Sequence, residues 1–452
     1  MTVKALMPVR IVNLVAPLAH KATDMHTTDT AAPVQARSGA ASHLIGSGLR
    51  AGGFNSAMGT LPTPGIATST TATRTTTTRA TKVVLLPSAD PYLFQRLVQA
   101  YLDCFRTKRN SASAMAFEAQ AEHNLYQLHE ELSSGTYRPG GSICFIITHP
   151  KPREVWASRI RDRIVHHLLY NYIAPRFHAR FVADSCACIP GRGTLYAANR
   201  LEHQVRSYTR NWSREAYYLK CDLANFFVSI DKHVVHEQLQ RQVSEPWWMS
   251  LASVILMHDP RNDVEVRGTL AERALVPHHK RLFNAPDGYG LPIGNLSSQF
   301  FANVLLDDMD QEVKHQLQAP HYVRYVDDFI LLHTSTQWLN QAKAQIEDKL
   351  AGLHLQLNPR KTILQPVARG IDFVGHLIKP WRRITRRKTV HVALDRLQDM
   401  PAADLHQSAN SYFGLLRQAT HSHHDRTRLA KLMLQRGHVV QGDMTKIYRK
   451  KG

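Results

Sequence analysis

His321-Tyr-Val-Arg-Tyr-Val-Asp-Asp-Phe-Ile-Leu-Leu-His333 sets two adjacent carboxylates, Asp327 and Asp328, between two apolar runs. Tyr322, Val323 and Tyr325 precede the pair, and Phe329 to Leu332 follow it. β-Branched and aromatic runs of this kind predict strands, and the polar break predicts a tight hairpin with the aspartates at or beside its turn. A strand pair buried in a sheet takes both charges out of bulk water, which is costly unless something positive neutralises them. Hard divalent cations with oxygen ligands are the usual partners of such carboxylates. A solvated acidic turn accounts for this tetrad alone equally well.

A second carboxylate upstream changes the balance. Ala216-Tyr-Tyr-Leu-Lys-Cys-Asp222 reads as a strand ending in Asp222, followed by Leu223-Ala-Asn-Phe226-Phe227. An aspartate at the end of one core strand, beside an Asp-Asp pair on a neighbouring hairpin, can hold two metal ions. Two ions about 4 Å apart stabilise both the attacking and the leaving oxygen of a phosphoryl transfer. Asp231, a few residues on, reads as a helix N-cap or surface charge. The Asp307-Asp308 pair reads as the solvated face of a helix.

Around these segments the chain is basic and intracellular in character. Its 452 residues carry a formal charge of +20, which favours a polyanionic partner. Five cysteines, an odd number in a long chain, argue for a reducing, cytoplasmic setting, and Cys186-x-Cys188 lacks the second ligand pair of a zinc site. No apolar run is long enough to span a membrane. Residues 1–82 are rich in Ala, Thr, Ser and Gly, with Asp24 and Asp29 their only acids, and are expected to be disordered. Their Arg/Ser/Thr-rich bias imitates an organelle transit peptide, and Met58 offers an alternative start.

Helical spacing follows from Pro91 to Phe105 and from about Ser113 to Leu132, with basic residues Arg106 to Arg109 between them as candidate phosphate contacts. Ser142 to Thr148 reads as a strand. Lys151, Arg153, Arg161 and Arg163 then alternate with apolar residues, and Arg192 lies in Pro190-Gly-Arg-Gly-Thr194. Cations in this pattern suit a nucleotide triphosphate. Gly288 to Asn303 contains Ile293-Gly294-Asn-Leu-Ser-Ser298-Gln299 at a helix start, where glycine and serine permit close backbone approach. Residues 259–287 show little pattern. Leu353 to Leu357 alternates like a strand before Asn358-Pro-Arg-Lys361-Thr, and Gly370-Ile-Asp-Phe373-Val-Gly375 follows.

Taken in order, these stretches resemble reverse transcriptases over roughly residues 90–380. Asp222-x4-Phe227 and Tyr325-Val-Asp-Asp328 look like the A and C motifs, Gly288–Asn303 like B, Asn358–Thr362 like D, and the Phe373–Gly375 stretch like the primer grip, E. The resemblance implies an α+β right-hand polymerase: fingers and palm over 83–380, the palm an antiparallel sheet packed on helices, and a short helical thumb over 381–452. It implies two Mg²⁺ ions on Asp222, the Leu223 carbonyl, Asp327 and Asp328, with Lys361 as a catalytic cation. Lys151, Arg153, Arg161, Arg163, Arg192, Phe227, Ile293, Gly294 and Gln299 would bind the nucleotide, Phe227 selecting against a 2′-hydroxyl. Phe373 and Gly375 would support the primer.

Motif B departs from many reverse transcriptases, which carry Gln where Ile293 stands and Ser-Pro where Ser298-Gln299 stands. The Ile-Gly-x3-Ser-Gln form resembles the enzymes of diversity-generating retroelements, which copy a template RNA with mistakes at adenines and work with a small basic accessory protein. Template RNA, primer, cDNA and dNTPs are the implied partners. An antiphage-defence or group II intron-like reverse transcriptase, and a non-catalytic RNA-binding protein with a relict palm, are the alternatives.

Overall fold

Helical periodicity before residue 135 produces helices Leu93–Phe105, Ala112–Glu118 and Ala121–Ser134 in the computed structural model, which describes residues 83–106, 111–148 and 151–449. Ser111 caps the second helix by accepting from Ala114 N–H. Gly135 ends the third at φ +75°, where a Cβ would lie 2.7 Å from the Leu85 carbonyl, so glycine is required. Leu93–Phe105 packs on the long helix Ile160–His178. Residues 1–82 and the basic Lys108 and Arg109 lie outside the described residues.

Strands β1 (Ser142–Ile147) and β2 (Arg153–Ser158) form an antiparallel hairpin with Ser142 opposite Ser158 and Ile147 opposite Arg153. Helix Thr194–Tyr208 leads into β3 (Tyr217–Asp222). The patternless connection after residue 258 supplies β4 (Val264–Val266), which pairs in parallel with β1 and makes this sheet three-stranded. Helix Leu296–Gln311 precedes β5 (Tyr322–Tyr325) and β6 (Asp328–His333), the predicted hairpin. After helix Thr336–Gly352 comes β7 (Ile363–Pro366), closing a four-stranded antiparallel sheet in the order β5-β6-β3-β7. The mixed helices and antiparallel sheets agree with the expected right-hand fold.

Pairing register gives each face of this sheet its own task. Tyr218, Lys220 and Asp222 lie opposite Leu332, Ile330 and Asp328 and so share a face. At one end Tyr218, Ile330 and Leu332 pack against Ala197, Leu201 and Val205 of helix Thr194–Tyr208 and against Ile371, Phe373 and Ile378. The carboxylates stand at the other end of that face. Helix Thr336–Gly352 packs on β3 and β6.

Strands β8 (Ile371–Phe373), β9 (His376–Lys379) and β10 (Arg382–Thr385) form a second antiparallel sheet. Its pairing crosses the 380/381 boundary, and the terminal helices begin only at Arg387. Helices Arg387–Asp399, Ala402–Leu416 and His423–Gln435 share a core of Val390, Leu397, Leu405, Phe413, Leu429 and Met433. The hairpin of β11 (His438–Val440) and β12 (Ile447–Arg449) adds Ile447 to it. None of the five cysteines, all among the described residues, forms a disulfide. Among the described residues no helix is long and apolar enough to cross a membrane.

The Asp307-Asp308 expectation needs correction at its first member. Asp307 is buried, accepts from Gln311 at 3.0 Å, and burial raises its carboxyl above the usual range. Asp308 is bound by Gln238 and Arg241, both at 3.0 Å. Asp231 is the N-cap of helix Lys232–Gln240 and also meets His354 at 2.9 Å.

Next to Asp307 on the same helix, Asp310 forms an ion pair with Arg324 of β5, both side chains having no exposed surface. Their closest approach is 2.6 Å, and the Tyr322 hydroxyl also donates to Asp310 at 2.6 Å. Arg324→Leu is expected to cost about 3–5 kcal/mol in urea unfolding, because it leaves a buried carboxylate without its cation. Combining it with Asp310→Leu should recover part of that loss; a double variant as unstable as the single one would contradict this account.

Candidate active site

Tyr325 pairs with Asp328, so Val326 and Asp327 form a two-residue hairpin turn. Val326 has φ +59°, a conformation costing a β-branched residue about 1–2 kcal/mol. Its carbonyl is held by Arg324 Nη1 at 3.0 Å, so the buried guanidinium pins the turn directly. Asp328 opens β6 directly opposite Asp222, the last residue of β3. Leu223 N–H then donates to the Asp327 carbonyl at 3.2 Å and ties the two carboxylate-bearing segments together.

Burial and mutual repulsion make this cluster electrostatically costly. Asp328 is pushed up to about 6, first by burial, then partly relieved by Lys220, with Asp222 and Asp327 adding repulsion. Asp327 is raised by burial and by Asp222. Two lysines answer part of the charge: Lys361 Nζ lies 2.6 Å from Asp222 Oδ1 and Lys220 Nζ 3.0 Å from Asp328 Oδ2. Asp328 Oδ1 is buried with no hydrogen-bond partner.

Among the described residues no three Asp, Glu, His or Cys side chains are gathered closely enough to hold a metal ion. The donor set nevertheless fits hard divalent cations: all oxygen, electrostatically frustrated, and with one buried carboxylate oxygen unsatisfied.

The carboxylates form the floor of a cleft of about 580 Å³. Lys151, Arg153, Leu223, Phe227, Ile293, Gly294, Gln299, Lys361 and Gly375 line it. Gly294 has φ +128°, and a Cβ there would lie 2.7 Å from the Trp156 carbonyl, while Trp156 N–H donates to the Ile293 carbonyl at 2.7 Å. Asn295 accepts from Ser158 N–H at 3.2 Å. The loop is therefore fastened to β2, and only glycine fits its closest point. Phe226 is buried, with Phe227 in edge contact at 5.3 Å and facing the cleft.

Four expected residues are placed elsewhere. Arg161 pairs with Glu131 and lies over the Tyr137 ring. Arg163 donates to the Ser158 carbonyl at 2.8 Å, and Arg192 to the Val182 and Ser185 carbonyls at 2.8 and 2.7 Å. These three arginines serve the packing around helix Ile160–His178 and the loop after it. Phe373 is fully buried beneath the β8–β9 turn, whose Val374 and Gly375 reach the cleft.

The cleft also contains residues the sequence did not single out: Lys220, Glu154, Val276, Lys280, Asn303 and Arg386. Lys220 carried a readable signal, since strand alternation puts it on the face of Asp222. Lys280, within the patternless connection, carried none.

Residues 150–378 match the family described as reverse transcriptase (RNA-dependent DNA polymerase). Among solved structures, telomerase from Candida albicans, in complex with a TWJ fragment of telomeric RNA, is 13% identical with a TM-score of 0.40. The alignment covers 66% of this chain and 56% of that one, so the chain spans little more than half the length of the telomerase chain. No curated protein matches.

A carboxyl held near 6 instead of its ordinary value near 3.8 favours the folded state at low pH. That contribution is lost as pH rises from about 4 to about 6. In chelator, Asp328→Asn is therefore expected to be more stable than the parent at pH 8, by about 3 kcal/mol, and equal to it below pH 4. Urea unfolding across pH reads this directly. Excess divalent cation should raise the melting temperature of the parent and leave Asp327→Asn/Asp328→Asn unmoved.

Proposed function

The chain belongs to the reverse transcriptase (RNA-dependent DNA polymerase) family, and from that membership we propose that it copies an RNA template into cDNA by adding dNTPs to a primer. The primer 3′-hydroxyl attacks the α-phosphate, and pyrophosphate leaves. The observation that carries this reading is the meeting of Asp222 and Asp328 on paired strands, with Asp327 in the adjoining turn, in a cleft also lined by Lys151, Arg153 and Lys361.

Asp222, Asp327, Asp328 and the Leu223 carbonyl would hold two divalent cations, Mg²⁺ in this reading. When bound, such ions supply Lewis-acid activation of the attacking hydroxyl and neutralise charge developing on the phosphates. The protein's own part is positioning and electrostatics. Lys361 and Lys220 keep the carboxylates compensated before substrate arrives, and Lys361, half-exposed at the cleft, is free to move from Asp222 to the departing pyrophosphate. Lys151 and Arg153 of the fingers meet the triphosphate, whereas Arg161, Arg163 and Arg192 hold the fingers together. Phe227 lies under the sugar as its gate. Val374 and Gly375 support the primer end, with Phe373 as their buried anchor.

Ile293, Gly294 and Gln299 border the nascent pair. An aliphatic side chain there cannot hydrogen-bond as glutamine would, which supports looser policing of the pair and the diversity-generating retroelement reading. A template RNA and a small basic accessory protein, the latter only by that resemblance, are the partners this reading calls for.

Primer extension on a defined RNA template with Mg²⁺ tests the proposal. Asp327→Ala/Asp328→Ala is expected to lose activity by about 10³-fold or more. Sequenced products should carry errors concentrated opposite template adenines, and Ile293→Gln should reduce them. Accurate products would move the assignment to a defence or intron-type enzyme. Nucleic-acid binding with no incorporation, even with native RNA and accessory protein, would leave only the RNA-binding alternative.

A further inference from the structure

The connection after residue 258 folds back onto the fingers and reaches the catalytic cleft. β4 joins it to β1, and two short 3₁₀ turns, His278–Lys280 and Leu282–Asn284, follow. This arm is tied internally by Arg281 to the Val276 carbonyl and by Asn284 to the His278 carbonyl, both at 2.8 Å. A buried carboxylate of β2 fastens it by hydrogen bonds, beside apolar packing. Glu154 Oε2 accepts the Leu282 N–H at 2.8 Å and the Trp156 indole N–H at 3.3 Å. The Trp156 ring packs on Phe283 at 4.7 Å, in a cluster with Cys144, Leu282 and Ala285.

Glu154 is an odd residue for its place. It is only 6% exposed, borders a cleft of cations, and has no ion-pair partner among the described residues. A carboxylate aimed at the substrate would repel phosphates. Turned instead onto the arm, it satisfies a backbone donor that would otherwise be buried and unpaired. The position it fixes brings Val276 and Lys280 to the wall of the cleft, with the Lys280 side chain exposed there.

We propose that Lys280 is a further triphosphate-binding cation of the nucleotide pocket, carried by an arm that Glu154 positions. The assignment rests on the polymerase reading above. Lys151, Arg153, Lys361 and Lys280 surround one cleft, and of these only Lys361 has an ion-pair carboxylate among the described residues. The Lys151 ammonium is pushed down from its ordinary value, first by burial and then by Lys361, Arg153 and Lys280, with Asp222 opposing. Cations gathered with too few carboxylates in direct contact are destabilising, and a ligand that carries several negative charges relieves them. Among the reaction's components the incoming triphosphate concentrates most charge at one point.

Single-nucleotide incorporation on a defined primer–template tests this. Lys280→Ala is expected to raise KM for dNTP about 10-fold with kcat within about 2-fold, and to leave primer–template affinity unchanged. Lys280→Arg should restore most of the KM. Glu154→Ala should raise KM in the same way, while Glu154→Gln, whose amide oxygen accepts both hydrogen bonds, should stay near the parent. Arg267→Ala, which removes an exposed cation paired with Glu265, is the control. Calorimetric binding of inorganic tripolyphosphate, measured on the same proteins in chelator, reads the site without the reaction and should weaken in Lys280→Ala. An inactive parent whose tripolyphosphate binding depends on Lys280 would sink the polymerase reading and keep the site. Unchanged KM and unchanged tripolyphosphate binding in Lys280→Ala would overturn the site. A fall in primer–template affinity with KM unmoved would overturn it in favour of a template contact.

Discussion

One guanidinium with no exposed surface ties the Asp327-Asp328 hairpin to everything around it. Arg324 uses all five of its N–H donors: on Asp310 and Asn303 of the helix Leu296–Gln311, on Ser185 of the preceding loop, and on the Val326 carbonyl at the turn. Its backbone is engaged as well, accepting from Cys186 N–H and donating to the Asp184 carbonyl, both at 2.9 Å. A buried ion pair is tolerable only when its hydrogen bonds are complete, and here they are. The strained Val326 turn, and with it the placement of Asp327 and Asp328, is therefore set from beneath by a network with no loose member.

Above that network the charges are arranged for exchange. The carboxylates repel each other and resist burial, yet Lys220 and Lys361 keep them compensated. A polyphosphate substrate and hard cations would replace lysine–carboxylate pairs by lysine–phosphate and carboxylate–cation pairs. The same atoms then serve the resting and the loaded site, so little reorganisation is asked of the backbone.

Positioning from the fingers side follows the same logic of satisfied backbone. Gly294 lets the loop touch the Trp156 carbonyl, Trp156 N–H returns a hydrogen bond to Ile293, and Glu154 fastens the arm carrying Lys280. β2 thus organises both walls of the cleft, holding one lining loop by its backbone and another by a buried side chain.

Much of this was legible in the chain. β-Branched and aromatic runs marked β3, β5 and β6, and the residue order placed Asp222 and Asp328 at strand ends with Asp327 in the turn beside them. Strand alternation would also have exposed Lys220, because a strand's local pattern dictates its own faces. What the pattern cannot state is which neighbour covers a given face. Arg161, Arg163 and Arg192 are as basic as Lys151 and Arg153, but carbonyls and carboxylates from other elements claim them. Asp307 looks solvated until its helix is packed, and Glu154 and Lys280 gain meaning only when a connection without periodicity folds back on β2. Sequence determined the strands, the carboxylates and their charge class. Tertiary structure alone decided which cations face the cleft, since that depends on non-local hydrogen bonds no local period records.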